Sequence, residues 1–321
     1  IIFSVILVIT FAYGFNGLQS FNIASAFEYY STDWENSSVP VYIGLILAVV
    51  STLLFFGGVG AISRISSILV PIMATLYIFM GLSVVIKNIG LFPEVISMII
   101  TDAFDFKAIF GGMIGSCLVM GIKRGLFSNE AGMGSAPNAA ASSDVSHPVK
   151  QGLVQVLSVF IDTMVICSTT GFLVLFSGMY EKGGELNGIP LVQYAISSVY
   201  GEMGVHFTTV AFAFTSLIGN YFYAEFNVRF ITDNKVALFL FRCSCVVMVF
   251  VGALNSMDVA WALADITMGC MAIVNIIALF MLSGTVKKAL DDYERQKKEG
   301  KDPVFIAREA GIEHTEPGIW D

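Results

Sequence analysis

Apolar runs set the frame of this chain. Five stretches carry no charge: Ile1 to Phe27, Asn36 to Ser63, Ile65 to Ile86, Ala108 to Ile122 and Met203 to Ala224. Three more carry one ionisable group each: Gln151 to Tyr180 with Asp162, Val236 to Met257 with Arg242, and Val259 to Val286 with Asp265. A bilayer core about 30 Å thick takes about 20 apolar residues to cross as helix, so the pattern predicts eight spans. The fourth is short: the fifteen residues between Lys107 and Lys123 reach only about 22 Å as α-helix. Gly111, Gly112, Gly115 and Gly121 interrupt it. Short, glycine-broken spans are where secondary transporters place binding sites, because unwound backbone at the midplane presents free N–H and C=O groups. Unwinding is expected near Gly111 to Gly115. Between spans, Pro93 to Phe104 reads as an interfacial helix, Ala136 to Ser143 as a short helix, and Arg64 as a tight turn.

Composition confirms the class. With 56% hydrophobic and 13% charged residues, the chain is a polytopic membrane protein and not a domain with a solvated surface. The net charge of −8 matters less than its placement. If the first span enters from the cytoplasm, fourteen of the seventeen Lys and Arg fall on cytoplasmic segments, and only Lys87, Lys107 and Lys182 lie outside. That asymmetry predicts a cytoplasmic C-terminus in a cell-membrane protein. Residues 1–286 read as the membrane domain and 287–321 as a solvated cytoplasmic tail. Starting with Ile inside an apolar run, the chain is expected to be a fragment. The five cysteines sit in apolar runs without Cys-x-x-Cys spacing, as small core residues do.

Several polar groups inside spans are candidates for chemistry. Asn16 and Gln19 lie three apart, on one helix face, with Ser20 and Asn22 nearby. Interhelical glue and a cavity that binds a small polar solute are both open readings, and the clustering favours the cavity. Thr208, Thr209, Thr215 and Ser216 lead into Gly219, Asn220 and Tyr221. Their hydroxyls either bond back to the preceding turn or, at Thr215 and Ser216, supply the oxygen ligands that a hard cation such as sodium prefers. Asp162 and Asp265 are intramembrane carboxylates, each costly enough to be a functional candidate. A structural pairing with Arg242, a neighbouring hydroxyl or a freed amide is the alternative. Lys123, Arg124 and Glu130 form either a gate latch that exchanges partners or an exposed ion pair.

The segment Arg124-Gly125-Leu126-Phe127-Ser128-Asn129-Glu130-Ala131-Gly132-Met133-Gly134-Ser135-Ala136-Pro137 resembles the signature of the alanine or glycine:cation symporter family. Asn16 and Gln19 match its Asn-x-x-Gln helix. Asp162-Thr163, Ala211 to Glu225, Trp261 to Asp265 and Met271 to Leu279 follow in family order. The resemblance implies a LeuT-like five-plus-five inverted repeat, with the first two core helices missing here. It further implies sodium-driven uptake of alanine or glycine by alternating access, with sodium as coupling ion and no other cofactor. The substrate residues would be Asn16, Gln19, Gly111, Gly112, Ser216 and Asn220, the sodium ligands Thr215 and Ser216, and the gating loop Arg124, Asn129 and Glu130. Three positions depart from the family: Ala140 where it usually has His, Asn220 where it usually has Trp, and Val274 where it usually has Pro. The Asn220 change would open or polarise a substrate cavity.

Other classes fit less well. An intramembrane enzyme would need a placed nucleophile and base, yet His147, His206 and His314 lie at span edges or in the tail and no His-Glu-x-x-His motif occurs. A channel is the better rival, since a broken helix also lines pores. A lipid bilayer, sodium and a small neutral amino acid are the expected partners; nucleic acid is not.

Overall fold

The computed structural model describes the chain except residues 32, 35, 58, 104–115, 182–185, 314–319 and 321, and gives backbone alone at 59–66, 116–118 and 203–214. Among the described residues every regular element is helical. Helix α1 (Ile2–Ile9) passes through a π-helical stretch, Thr10–Phe15, into α2 (Asn16–Ser25). Then come α3 (Val39–Gly57), α4 (Val59–Lys87), α5 (Phe92–Ala103), α6 (Ser116–Asn129) and α7 (Ala136–Ala140). Helix α8 (Pro148–Phe160) continues through a second π-helical stretch, Ile161–Cys167, into α9 (Ser168–Phe176). Long elements close the chain: α10 (Gly188–Ile231), kinked at Gly201 where φ is 61°, α11 (Lys235–Ala253) and α12 (Met257–Lys298). Local chemistry sets the starts. The Asn234 side chain accepts from the Val236 and Ala237 amides to cap α11, and His147 caps α8, whose first residue is Pro148.

Six helical segments among the described residues are long and apolar enough to cross a bilayer: Ile2–Tyr30, Val39–Gly57, Ser67–Lys87, Pro148–Phe176, Lys235–Ala253 and Met257–Lys298. Of the two other expected spans, residues 108–115 lie outside the description, and Met203 to Ala224 runs within α10. The outward faces carry Phe79, Phe160 and Phe280, each more than half exposed. Such faces are not stable in water.

The core gathers around α1 and α2, which pack on α10, α11 and α12 through Phe11, Leu18, Tyr221, Val249 and Met271. Its tightest point is backbone against backbone. A Cβ added to Gly252 of α11 would stand 2.6 Å from the Gly17 Cα and carbonyl oxygen of α2, so only glycine allows this approach. A second cluster joins α4, α9 and α10 through Tyr77, Val84, Leu173, Phe176 and Ile196.

Three expectations meet a different local outcome. Arg64 lies within helix α4 (Val59–Lys87) instead of in a turn. The boundary drawn at 286 falls inside α12, which at 42 residues is about 63 Å long, twice a bilayer core. Part of the tail packs back on the bundle. Phe305 N–H donates to the Ser146 carbonyl at 2.9 Å, Lys150 Nζ reaches Asp302 Oδ1 at 2.6 Å, and the Gln296 side chain pairs with both Val304 backbone groups. The chain folds back because His147, Tyr293 and Phe305 share an apolar seat that the extended α12 provides.

Candidate functional site

The π-helical turn before Asn16 widens the helix by one residue, a device frequent at functional sites, and it resets the faces of α2. Asn16 and Ser20, one turn apart, become fully buried. Among the described residues neither Asn16 amide atom has a hydrogen-bond partner, nor does Ser20 Oγ. On α10, Asn220 is 8% exposed and its Nδ2 is likewise unpartnered. Phe11 meets Tyr223 edge-on, ring centroids 5.0 Å apart. Asn16 lies five residues on from Phe11 and Asn220 three residues back from Tyr223, so between antiparallel helices they fall at about the same depth. Buried amides without partners cost about 1–3 kcal/mol each. Native folds keep such groups where something else completes them.

Gln19 separates from Asn16. It is half-buried and accepts from Asn22 Nδ2 at 3.4 Å. Thr215 is half-buried and Ser216 exposed on α10. Gly111 and Gly112, and with them the expected unwinding, lie outside the described residues.

A cavity of about 950 Å³ opens at the end of the bundle that carries Glu28, Trp34 and Asp258, and Arg124, Trp261 and Asp265 line it. Asn22 lines it too, although Gln19 and the Thr215 to Asn220 segment are not among its described walls. Arg124 Nη2 donates to both oxygens of Asp265, at 2.6 and 2.7 Å, and its guanidinium lies 3.8 Å from the centre of the Trp261 ring. Lys123 Nζ stands 3.5 Å from the same carboxylate. Arg124 Nε and Nη1 are buried without an acceptor among the described residues.

The signature loop lies toward the other end. Gly132 and Gly134 take positive φ of 79° and 85°, and Glu130 takes 56°. A Cβ at Gly134 would strike Asn275 and Phe3, both at 2.6 Å, and Asn275 Nδ2 donates to the Gly132 carbonyl at 2.9 Å. Glu130 accepts from Ser135 Oγ inside the loop. In this structure the two cations turn to Asp265 and the acid holds its own turn. Asp162, in the second π-helical stretch, accepts from Ser128 Oγ at 2.6 Å, and Asn129 Nδ2 donates to Thr163 Oγ1 at 2.9 Å. These bonds tie α6 to the α8–α9 span, the neighbouring-hydroxyl alternative for Asp162.

Arg242 serves neither aspartate. Its Nη2 donates to Glu225 Oε1 at 2.7 Å, Arg229 donates to the same oxygen from Nε and Nη2 at 2.9 and 2.7 Å, and Tyr221 donates its hydroxyl to Oε2. Tyr221 stacks on Phe55 at 3.7 Å. Sequence reasoning passed over Glu225 as a site residue. The signal was present in the Tyr221, Glu225, Arg229 spacing of four, which places all three on one helix face.

A multi-pass α-helical bundle with unpartnered buried amides on packed helices and charged groups inside its spans has the construction of a membrane transport protein. The chain belongs to the sodium:alanine symporter family, whose profile matches residues 1–307, a family of transporters and not enzymes. It is 46% identical over 311 residues to an uncharacterized transporter of Haemophilus influenzae, covering 94% of this chain and 63% of that protein. It is 44% identical over 308 residues to the probable sodium/glutamine symporter GlnT of Bacillus subtilis, covering 95% and 63%. Against the sodium/alanine symporter AgcS of Methanococcus maripaludis it is 36% identical over 267 residues, covering 82% and 59%. The chain thus spans just under two thirds of the length of these relatives.

Proposed function

We propose that this chain forms most of the transport domain of a symporter that couples sodium influx to uptake of a small neutral amino acid by alternating access. Its place in the family supports the reaction class. Relatives named for alanine and for glutamine bracket the substrate. In this reading the spans follow the LeuT-like five-plus-five arrangement, eight of them in this chain, and the C-terminus is cytoplasmic. Asn16, Gln19, Ser216 and Asn220 face the substrate, with Gly111 and Gly112 on the broken helix. Thr215 and Ser216 give hydroxyl oxygens to one sodium ion.

The observation that carries the reading is Asn16, sealed in the core with neither amide atom partnered among the described residues. Such a group is tolerated where a transported polar solute completes it. The test is uptake of labelled alanine, glycine and glutamine by the full-length protein in proteoliposomes. Concentrative uptake that needs an inward sodium gradient is expected, and Asn16→Ala abolishes it. Flux that never exceeds equilibrium, whatever the gradient, would make the protein a channel.

A further inference from the structure

We propose that residues 302–312 form a strap that braces the start of α8 against α12, and that protonation of His147 beneath it releases the brace. Three parts of the chain meet there. The turn before α8 gives Ser146 and His147, α12 gives Asp292 and Tyr293, and the strap gives Asp302, Pro303 and Phe305. Ser146 is held twice: its carbonyl accepts from the Phe305 amide and its Oγ donates to the Pro303 carbonyl, both at 2.9 Å. Lys150 of α8 donates to Asp302 Oδ1 at 2.6 Å, and Lys288 of α12 donates to the Gly311 carbonyl at 2.7 Å. The strap is bonded on both sides.

His147 sits at the centre, fully buried against the Tyr293 and Phe305 rings, with centroids at 5.1 and 4.9 Å. Its bonds fix one neutral tautomer. Nδ1 accepts from the Val149 amide and caps α8, so the ring proton is on Nε2, which faces Asp292 Oδ2 at 3.4 Å. A second proton has to go on Nδ1. There it opposes the Val149 N–H, removes the cap and buries a charge. Asp292 offsets part of that cost, but Arg295 and Gln296 already bond to its two oxygens. The other charges near the imidazole are Lys150 and its partner Asp302. Burial outweighs the pull of Asp292 and holds the His147 pKa down, so the brace is complete at neutral pH and weakens in acid.

The brace also bears on the signature loop. Asn275 of α12 holds that loop at Gly132, and the chain then runs through α7 to His147. The strap is thus a second tie between α12 and the same stretch of chain. Its release leaves that stretch less constrained, and turnover falls while the half-saturating substrate concentration holds. This last consequence rests on the transport reading above; the release does not.

In the full-length protein, spin labels at Asp144→Cys and Glu309→Cys, both exposed positions, report the brace by pulsed electron spin resonance. A single short distance is expected at about pH 7.5, and a longer, broader population at about pH 5.5, on either side of the ordinary histidine pKa. His147→Gln keeps an acceptor for Val149 and a donor for Asp292 but takes up no proton, and it holds the short distance at both pH values. If that variant does not fold, Phe305→Ala, which empties the seat, gives the long distance at both. In cells acidified inside by a permeant weak acid, sodium-driven alanine uptake is expected to fall several-fold in turnover. A short cross-link between Lys150→Cys and Asp302→Cys restores it. A distance in the wild type that ignores pH, release that persists in His147→Gln, a strap still docked at neutral pH in Phe305→Ala, or acid inhibition that survives the cross-link would overturn the proposal. Release in a protein that moves no amino acid supports the switch and overturns only the transport reading.

Discussion

Two charged clusters within the bundle use the same groups to opposite ends. Around Glu225 one acid, its side chain 1% exposed, is surrounded by Arg229, Arg242 and Tyr221, and it accepts on both oxygens. Around Asp265 the acid is 20% and Arg124 29% exposed, the pair lines a cavity, and two of the three guanidinium nitrogens are idle among the described residues. A carboxylate whose oxygens are taken and which solvent cannot reach has nothing left to exchange. It locks α10 to α11. An ion pair that is partly exposed on a cavity wall exchanges its contacts at less cost than a buried one. Burial separates the lock from the looser pair.

The largest effect expected from breaking this contrast comes from Glu225→Ala. Two guanidinium groups lose their acid, one of them largely buried, so thermal unfolding in detergent should show a loss of about 3–5 kcal/mol, or no folded protein. Next is Gly252→Ala, which drives a methyl into the Gly17 backbone. A loss of about 1–3 kcal/mol is expected from overpacking, read in the same melt. By contrast Asp265→Asn should move stability by no more than about 1 kcal/mol. A larger loss would place this pair with the lock. Smaller still is the stability change in Asn16→Ala. Removing a buried amide that has no protein partner should cost under about 1 kcal/mol while uptake disappears; if the melt falls and uptake persists, Asn16 is glue.

The slightest effect is at the tail, where a third charged group is governed by pH. His147 is fully buried, its Nδ1 accepts from the Val149 amide at 3.2 Å, and its Nε2 faces Asp292 Oδ2 at 3.4 Å. Burial holds its pKa below the usual 6.5, against the pull of Asp292. The undocked state therefore binds more protons, so docking is fully favoured above about pH 6.5 and weakens as pH falls below it. Limited proteolysis of the tail should be slow at neutral pH and faster in acid. Exchanging His147 for Gln should flatten that dependence.

Much of the architecture was legible in the sequence because a bilayer leaves few solutions. An apolar run of adequate length has to be a helix with its backbone bonds closed internally, and among the described residues six helices are long and apolar enough to span. The chemistry was legible only by type. Asn16, Asp162, Asp265 and Arg124 stood out as polar groups in apolar surroundings. Their partners did not, because Arg124 and Asp265 are 141 residues apart and Ser128 and Asp162 are 34 apart. Glu225 was overlooked although its local spacing already gathered Tyr221 and Arg229. Arg242 was one of several partners open to Asp162 and Asp265 and pairs instead with Glu225, since any intramembrane acid satisfies the same charge rule.

The sequence by itself determined a helical membrane protein of the symporter family, its spans, and the residues that pay no hydrophobic dividend and so need another reason to be there. The tertiary structure decided how those residues divide. Glu225 became a lock because three donors converge on it, while the Arg124–Asp265 pair came to line a cavity. It also seated the tail on His147, which a charged, helix-forming sequence does not announce. Burial and pairing depend on which helices meet and in what register. The Gly17 and Gly252 backbones and the two π-helical turns fix that register in space, and apolar periodicity within one segment does not encode it.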